Sequence, residues 1–210
     1  MNMQLDGTVD LDHTQFHWSL WNGEQLGECI AIDTETTPIQ DRCKVPDLCL
    51  VSISDGQQHF VLKPDRLAEF LSLHSSSETH FVFHNAAFDF AVMDRYLVLS
   101  KEAETRSLLW EAVDSGRVHD TMLLAVLISL AKRDCDLTPG LKDACESHLG
   151  LVLEKDKYRL QFNEITETSW AEVDVGFFQY AVADAIATWF LFAILTHKAN
   201  KICHEYGVSD

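Results

Sequence analysis

The chain has 210 residues, 47% apolar and 23% charged, which suits one soluble globular domain with a substantial core. Its 16 basic and 33 acidic residues give a formal charge of -17. That excludes a general nucleic-acid coat, which would grip phosphates through Lys and Arg. Six cysteines without a CxxC pair (Cys29, Cys43, Cys49, Cys135, Cys145, Cys203), no basic and apolar leader, and no uninterrupted apolar run of roughly 18 residues suggest a reducing, cytoplasmic setting with no membrane partner.

Residues 1–28 are polar with scattered aromatics (Phe16, Trp18, Trp21) and read as an extension holding a short helix and a turn, ahead of a domain over 29–210. Residues 29–35 read as a strand, rich in Ile and Ala and too short for a buried helix. Leu48–Ser54 is a second strand, Asp55-Gly56 a hairpin signal, and His59–Leu62 the strand that pairs back. Pro64-Asp65 opens a helix to about Leu73, which Ser75-Ser76-Ser77 ends. A strand over 79–83 and a helix over Ala86–Leu99 follow. After Gly116, Val118-His119 is a short strand and Asp120 the N-cap of a helix over Thr121–Ala131. Thr138-Pro139 starts a helix to about Leu149, with Gly150 as its stop. Residues 151–175 are irregular, and the last long helix covers 175–198. A three-strand meander followed by alternating strands and helices predicts an α/β fold, a mixed β-sheet flanked by helices of the ribonuclease H-like kind.

Acidic residues fall in three motifs on these segments. Asp33 and Glu35, in Asp33-Thr34-Glu35, close the first strand and share a face, because strand side chains alternate. Such oxygen pairs suit Mg2+ or Mn2+, although two solvated acids before Thr36-Thr37-Pro38 look the same. Asp89 ends His84-Asn85-Ala86-Ala87-Phe88-Asp89 in the first turns of its helix, where a carboxylate also complements the macrodipole; Asn85 is equally an N-cap. Tyr180 and Asp184 are four apart and share a helix face among Phe177, Phe178, Ala181, Ala185, Trp189 and Phe192. An Asp there is costly unless paired or metal-bound, whereas Tyr180 alone reads as a core aromatic. Carboxylates gathered from distant segment ends are what a two-metal phosphodiester-cleaving site requires. The basic stretch Lys132, Arg133, Lys142, Lys155, Lys157 and Arg159 reads equally as a solvated face or a phosphate grip.

Ala31-Ile32-Asp33-Thr34-Glu35-Thr36-Thr37, Asn85-Ala86-Ala87-Phe88-Asp89 and Tyr180-Ala181-Val182-Ala183-Asp184-Ala185 resemble the three motifs of the DEDDy 3'-5' exonucleases. His119-Asp120-Thr121-Met122-Leu123-Leu124-Ala125 is similar to part of the proofreading domain of family A DNA polymerases. So are Leu141-Lys142, Leu149-Gly150-Leu151-Val152-Leu153-Glu154-Lys155 and Arg159-Leu160-Gln161-Phe162. Ribonuclease D and the Werner-type exonucleases share the three motifs and the Lys155, Arg159, Phe162 pattern. The resemblance covers about residues 28–198. It implies a DnaQ-like exonuclease fold and a metal-dependent 3'-5' exonuclease that hydrolyses single-stranded DNA to nucleoside 5'-monophosphates, with a ribonuclease D-like exoribonuclease as the alternative.

Two divalent cations, Mg2+ or Mn2+, are implied with it. Asp33, Glu35 and Asp184 would surround the one that binds the attacking water, and Asp33 and Asp89 the second, while Tyr180 orients the water. For substrate, Ile39 takes the place of an apolar wedge and Phe162 that of an aromatic stacking nearby, with ordinary loop packing as the other reading of both; Asn85 would contact the strand backbone, and Lys155 and Arg159 complete the implied substrate-binding set. The histidine subclass is excluded, because Gln179 stands five before Asp184 where its base would be. The implied partners are single-stranded DNA or nucleic-acid 3' ends and a polymerase or other repair or replication protein. Two other readings compete. A haloacid dehalogenase-like phosphatase needs Asp where Glu35 stands and a later paired-Asp motif. A non-catalytic nucleic-acid-binding or adaptor module on the same fold has no need of the full carboxylate set. DNA and RNA both fit a single-strand cleft that reads stacking and backbone.

Overall fold

The computed structural model describes residues 5–39, 44–76, 78–133, 140–153, 158, 162, 165 and 169–208. The expected meander is present as β3 (Cys29–Thr36), β4 (Leu48–Ser54) and β5 (His59–Leu62), each antiparallel to the next. β6 (His80–Phe83) and β7 (Val118–Asp120) extend the sheet in parallel on the other side of β3. β4 and β5 are buried along their whole length, so even their polar residues Ser52, Ser54 and His59 lie inside.

Residues 5–28 depart from expectation. Where a short helix was expected, β1 (Asp6–Leu11) and β2 (Thr14–Leu20) form an antiparallel hairpin, and β2 runs parallel to β5. The sheet order is therefore β1-β2-β5-β4-β3-β6-β7, and the hairpin is part of the sheet rather than an appendage. The turn residues Asp12 and His13 have φ of 47° and 64°, the left-handed pair that a two-residue hairpin loop requires to match strand twist. Trp18 of β2 is fully buried and packs against Phe178, ring centroids 5.7 Å apart, which ties the hairpin to the main core.

Helices cover both faces. α1 (Leu67–Leu73), α2 (Ala86–Leu99) and α3 (Ala103–Asp114) enclose one core; α4 (Thr121–Ala131), α5 (Leu141–Leu149) and α6 (Val175–Glu205) enclose the other. α3 falls where no element was expected, with Thr105, Leu109 and Ala112 buried at helical spacing. α6 runs past the expected end at Lys198. By length and composition this helix is apolar enough to cross a membrane, but here it is the core helix: Phe178, Ala181, Val182, Ala185, Ile186 and Leu191 are buried.

The β4–β5 turn explains one glycine. Gly56 has φ +84°, and a Cβ there would lie 2.7 Å from the Trp189 ring of α6. Gly56→Ala should therefore combine left-handed strain with overpacking and destabilise by about 2 kcal/mol. A lowered urea midpoint at unchanged m-value checks this; an unchanged midpoint would show that the indole moves aside freely.

Candidate active site

β3 ends in Asp33-Thr34-Glu35, and the β3–β4 register shifts there: Glu35 pairs with Leu50 and Thr36 with Leu48, leaving Cys49 as the extra residue of a bulge. Asp184 arrives from α6, which crosses the same sheet. Carboxylate oxygens of Asp33, Glu35 and Asp184 all lie within 4.8 Å of one another. Glu35 and Asp184 are only 9% and 6% exposed, and Asp33 is half-buried. The hard oxygen donors of three carboxylates so close together fit Mg2+ or Mn2+.

Asp89 stands apart from that trio while lining the same cleft. It is 3% exposed, and its Oδ1 accepts from the Thr34 N–H at 3.0 Å and the Thr34 hydroxyl at 2.6 Å. Burial pushes its carboxyl up to about 7; the Thr34 hydrogen bonds work against this, and the Asp120 carboxylate adds to it. Thr34, whose side chain alternates to the face opposite Asp33 and Glu35, thus couples β3 to α2.

The α2 N-terminus is held by a group from another element. Asp120 accepts from the N–H groups of Met122 (2.9 Å) and Leu123 (3.2 Å), as its N-cap reading required, and also from those of Asn85 (3.2 Å) and Ala86 (2.9 Å). One carboxylate caps two helices. Asn85, at φ 71°, makes no capping bond with its own side chain, and that side chain is exposed in the cleft.

The cleft has a volume of about 710 Å³ and is lined by Asp33, Thr34, Glu35, Ile39, His84, Asn85, Phe88, Asp89, Met122, Leu141, Lys142, Tyr180 and Asp184, among others. Ile39 is 67% exposed at its rim. Phe162, expected to stack near the terminal base, has its ring fully buried against Phe177 (5.2 Å) and Tyr180 (5.8 Å), behind the tyrosine that faces the cleft. Lys155 and Arg159 lie outside the described residues; Lys142 represents the basic stretch in the cleft. His84 was assigned no role by sequence, yet it lines the cleft with Nδ1 2.9 Å from the Thr121 hydroxyl. Nothing local marks it, because its place depends on how β6, α2 and α4 meet.

A protein family described as 3'-5' exonuclease matches residues 18–200. No curated protein matches in sequence. Among solved structures, Escherichia coli RNase D, an exoribonuclease involved in structured RNA processing, is similar with TM-score 0.55 and 19% identity over 83% of this chain and 40% of that one. The chain thus spans 40% of that RNase D's length. NrnC of Brucella melitensis, bound to pGG, gives TM-score 0.51 and 22% identity over 84% of this chain and 75% of that one. The EXO domain of Aedes aegypti Nibbler gives TM-score 0.61 and 12% identity over 83% and 80%. These neighbours share the ribonuclease H-like, DnaQ-type sheet, and the family match runs from the buried Trp18 of β2 to the last turns of α6. The chain belongs to the 3'-5' exonuclease family.

Proposed function

We propose that this protein is a divalent-metal-dependent 3'-5' exonuclease that releases nucleoside 5'-monophosphates from single-stranded nucleic acid. The gathering of Asp33, Glu35 and Asp184 within 4.8 Å in an open cleft carries this reading. These three would hold one Mg2+ or Mn2+, and Asp33 with Asp89 a second. When bound, the ions lower the pKa of the attacking water and stabilise the leaving 3'-oxygen.

The chain's own side chains do the rest. The Tyr180 hydroxyl orients the water; a phenol is too weak a base to activate it at neutral pH. Thr34 holds Asp89 against β3. Ile39 offers an apolar contact to the terminal base, and Asn85 a polar one to the strand backbone. An adaptor module has no use for carboxylates crowded in this way, and a haloacid dehalogenase-like phosphatase does not share this family match.

Single-stranded DNA is the substrate we read from the polymerase-like motifs, and a polymerase partner belongs to that reading. RNA is the second reading, supported by the RNase D neighbour, an exoribonuclease by its description. Matched, labelled DNA and RNA oligonucleotides with Mg2+ test both. Mononucleotides should leave from the 3' end, and a 3' block or excess EDTA should stop their release. Faster digestion of RNA would replace the first substrate reading with the second. Full activity in EDTA, or equal digestion of 5'- and 3'-blocked strands, would overturn the mechanism itself.

A further inference from the structure

We propose that Ser52 is a positioning residue that sets α6, and with it Tyr180 and Asp184, in register with Asp33; this rests on the metal-dependent reading above. Ser52 lies in the middle of β4, is fully buried, and pairs directly with Asp33 across the β3–β4 ladder. Side chains of directly opposed residues leave the sheet on the same face. The Ser52 hydroxyl donates to the backbone carbonyl of Ala181 at 2.7 Å. Ala181 follows Tyr180 and stands three residues before Asp184, so the bond meets α6 between its two functional side chains.

Helix geometry does not require this bond. A carbonyl inside an α-helix already accepts from the N–H four residues on, and its second lone pair needs no partner. What the bond supplies is direction. Around it α6 buries Ala181, Val182 and Ala185, whose side chains carry no polar group that could bond to the sheet; two α6 side chains that do bond to it, Gln179 to Thr8 and Trp189 to Cys29, lie on either side of this stretch. The ligand set is divided between β3 and α6, so a shift between them changes the Asp33–Asp184 separation directly. Mg2+ demands near-ideal octahedral contacts of about 2.0–2.1 Å and tolerates such a shift badly. Thr34 ties Asp89 to β3 from the other face, and Ser52 is its counterpart for Asp184.

Ser54 provides the control. It is on the same strand and fully buried, but its hydroxyl bonds His59 Nδ1 (2.9 Å) and the Gly56 N–H (3.1 Å) instead of α6. Mn2+ binding by calorimetry, thermal unfolding and oligonucleotide hydrolysis are measured on the full chain for Ser52→Ala, Ser52→Thr and Ser54→Ala. The two alanine variants should unfold at similar temperatures. Ser52→Ala should bind Mn2+ about 10-fold more weakly and lose about 10-fold in kcat with KM unchanged, as removal of groups that orient metal ligands does. Ser54→Ala should keep both properties, and Ser52→Thr, which retains the hydroxyl, should recover most of the loss. If Ser52→Ala does not fold, Ser52→Cys, with a weaker donor of similar size, takes its place. Wild-type Mn2+ affinity in the Ser52 variants, or an equal loss in Ser54→Ala, would overturn the proposal while leaving the nuclease reading intact. A wild-type chain that neither binds Mn2+ nor releases nucleotides would remove both.

Discussion

Asp184→Ala should lower single-turnover hydrolysis of a short 3'-ended oligonucleotide by roughly 10³-fold or more, whereas Tyr180→Phe should lose only about 10–100-fold. Asp184 is one of three carboxylates within 4.8 Å, so its removal takes away a third of that donor set. Added Mn2+ should not restore the rate, because Asp33 and Glu35 alone would leave the water neither held nor activated. Tyr180→Phe keeps the ring and its packing on Phe162, and with it the helix face that carries Asp184. The hydrogen bond to the water is lost, but a poorly oriented water still reacts at times. Circular dichroism establishes that both variants fold. An Asp184→Ala protein that folds and cleaves as well as Tyr180→Phe would remove Asp184 from the site.

Asp89→Asn should abolish at least about 99% of activity and, in the metal-free protein, flatten the dependence of stability on pH. Burial raises the Asp89 carboxyl from its ordinary 3.8 to about 7. The folded protein therefore holds this proton more tightly than the unfolded chain does. That contribution to stability is complete below about pH 3.8 and is lost as pH rises through about 7. Asparagine accepts the same two bonds from Thr34 without titrating. In EDTA, wild type should lose several degrees of melting temperature between pH 5 and pH 8 relative to Asp89→Asn. Parallel curves would show that the carboxyl is not held protonated by burial. With Mg2+ present the wild-type curve should rise most at high pH, where the ionised carboxylate is ready to bind.

Much of the fold was legible because its signals are local. β4 and β5 are short, mostly apolar segments flanking Asp55-Gly56, and they occupy the expected residues. Thr121–Ala131 begins after an aspartate that caps it as read. The β1–β2 hairpin was not legible: its turn, Asp12-His13, takes a glycine-like conformation without a glycine, and its strands are polar on the exposed side. α3 was passed over because its buried residues are few and separated by charged ones.

Sequence by itself determined which side chains are chemically able to form the site. Asp33 and Glu35 share a strand face through a period of two, and Tyr180 and Asp184 share a helix face through a spacing of four; neither needs any other part of the chain. Tertiary structure decided the rest. It set the strand pair and the helix against each other, so that three carboxylates from distant segments came within 4.8 Å. It also turned Phe162 inward behind Tyr180, gave Asp120 a second helix to cap and joined Ser52 to Ala181. Those outcomes depend on how sheet and helices pack, and side-chain periodicity carries no information about a contact between residues 129 positions apart.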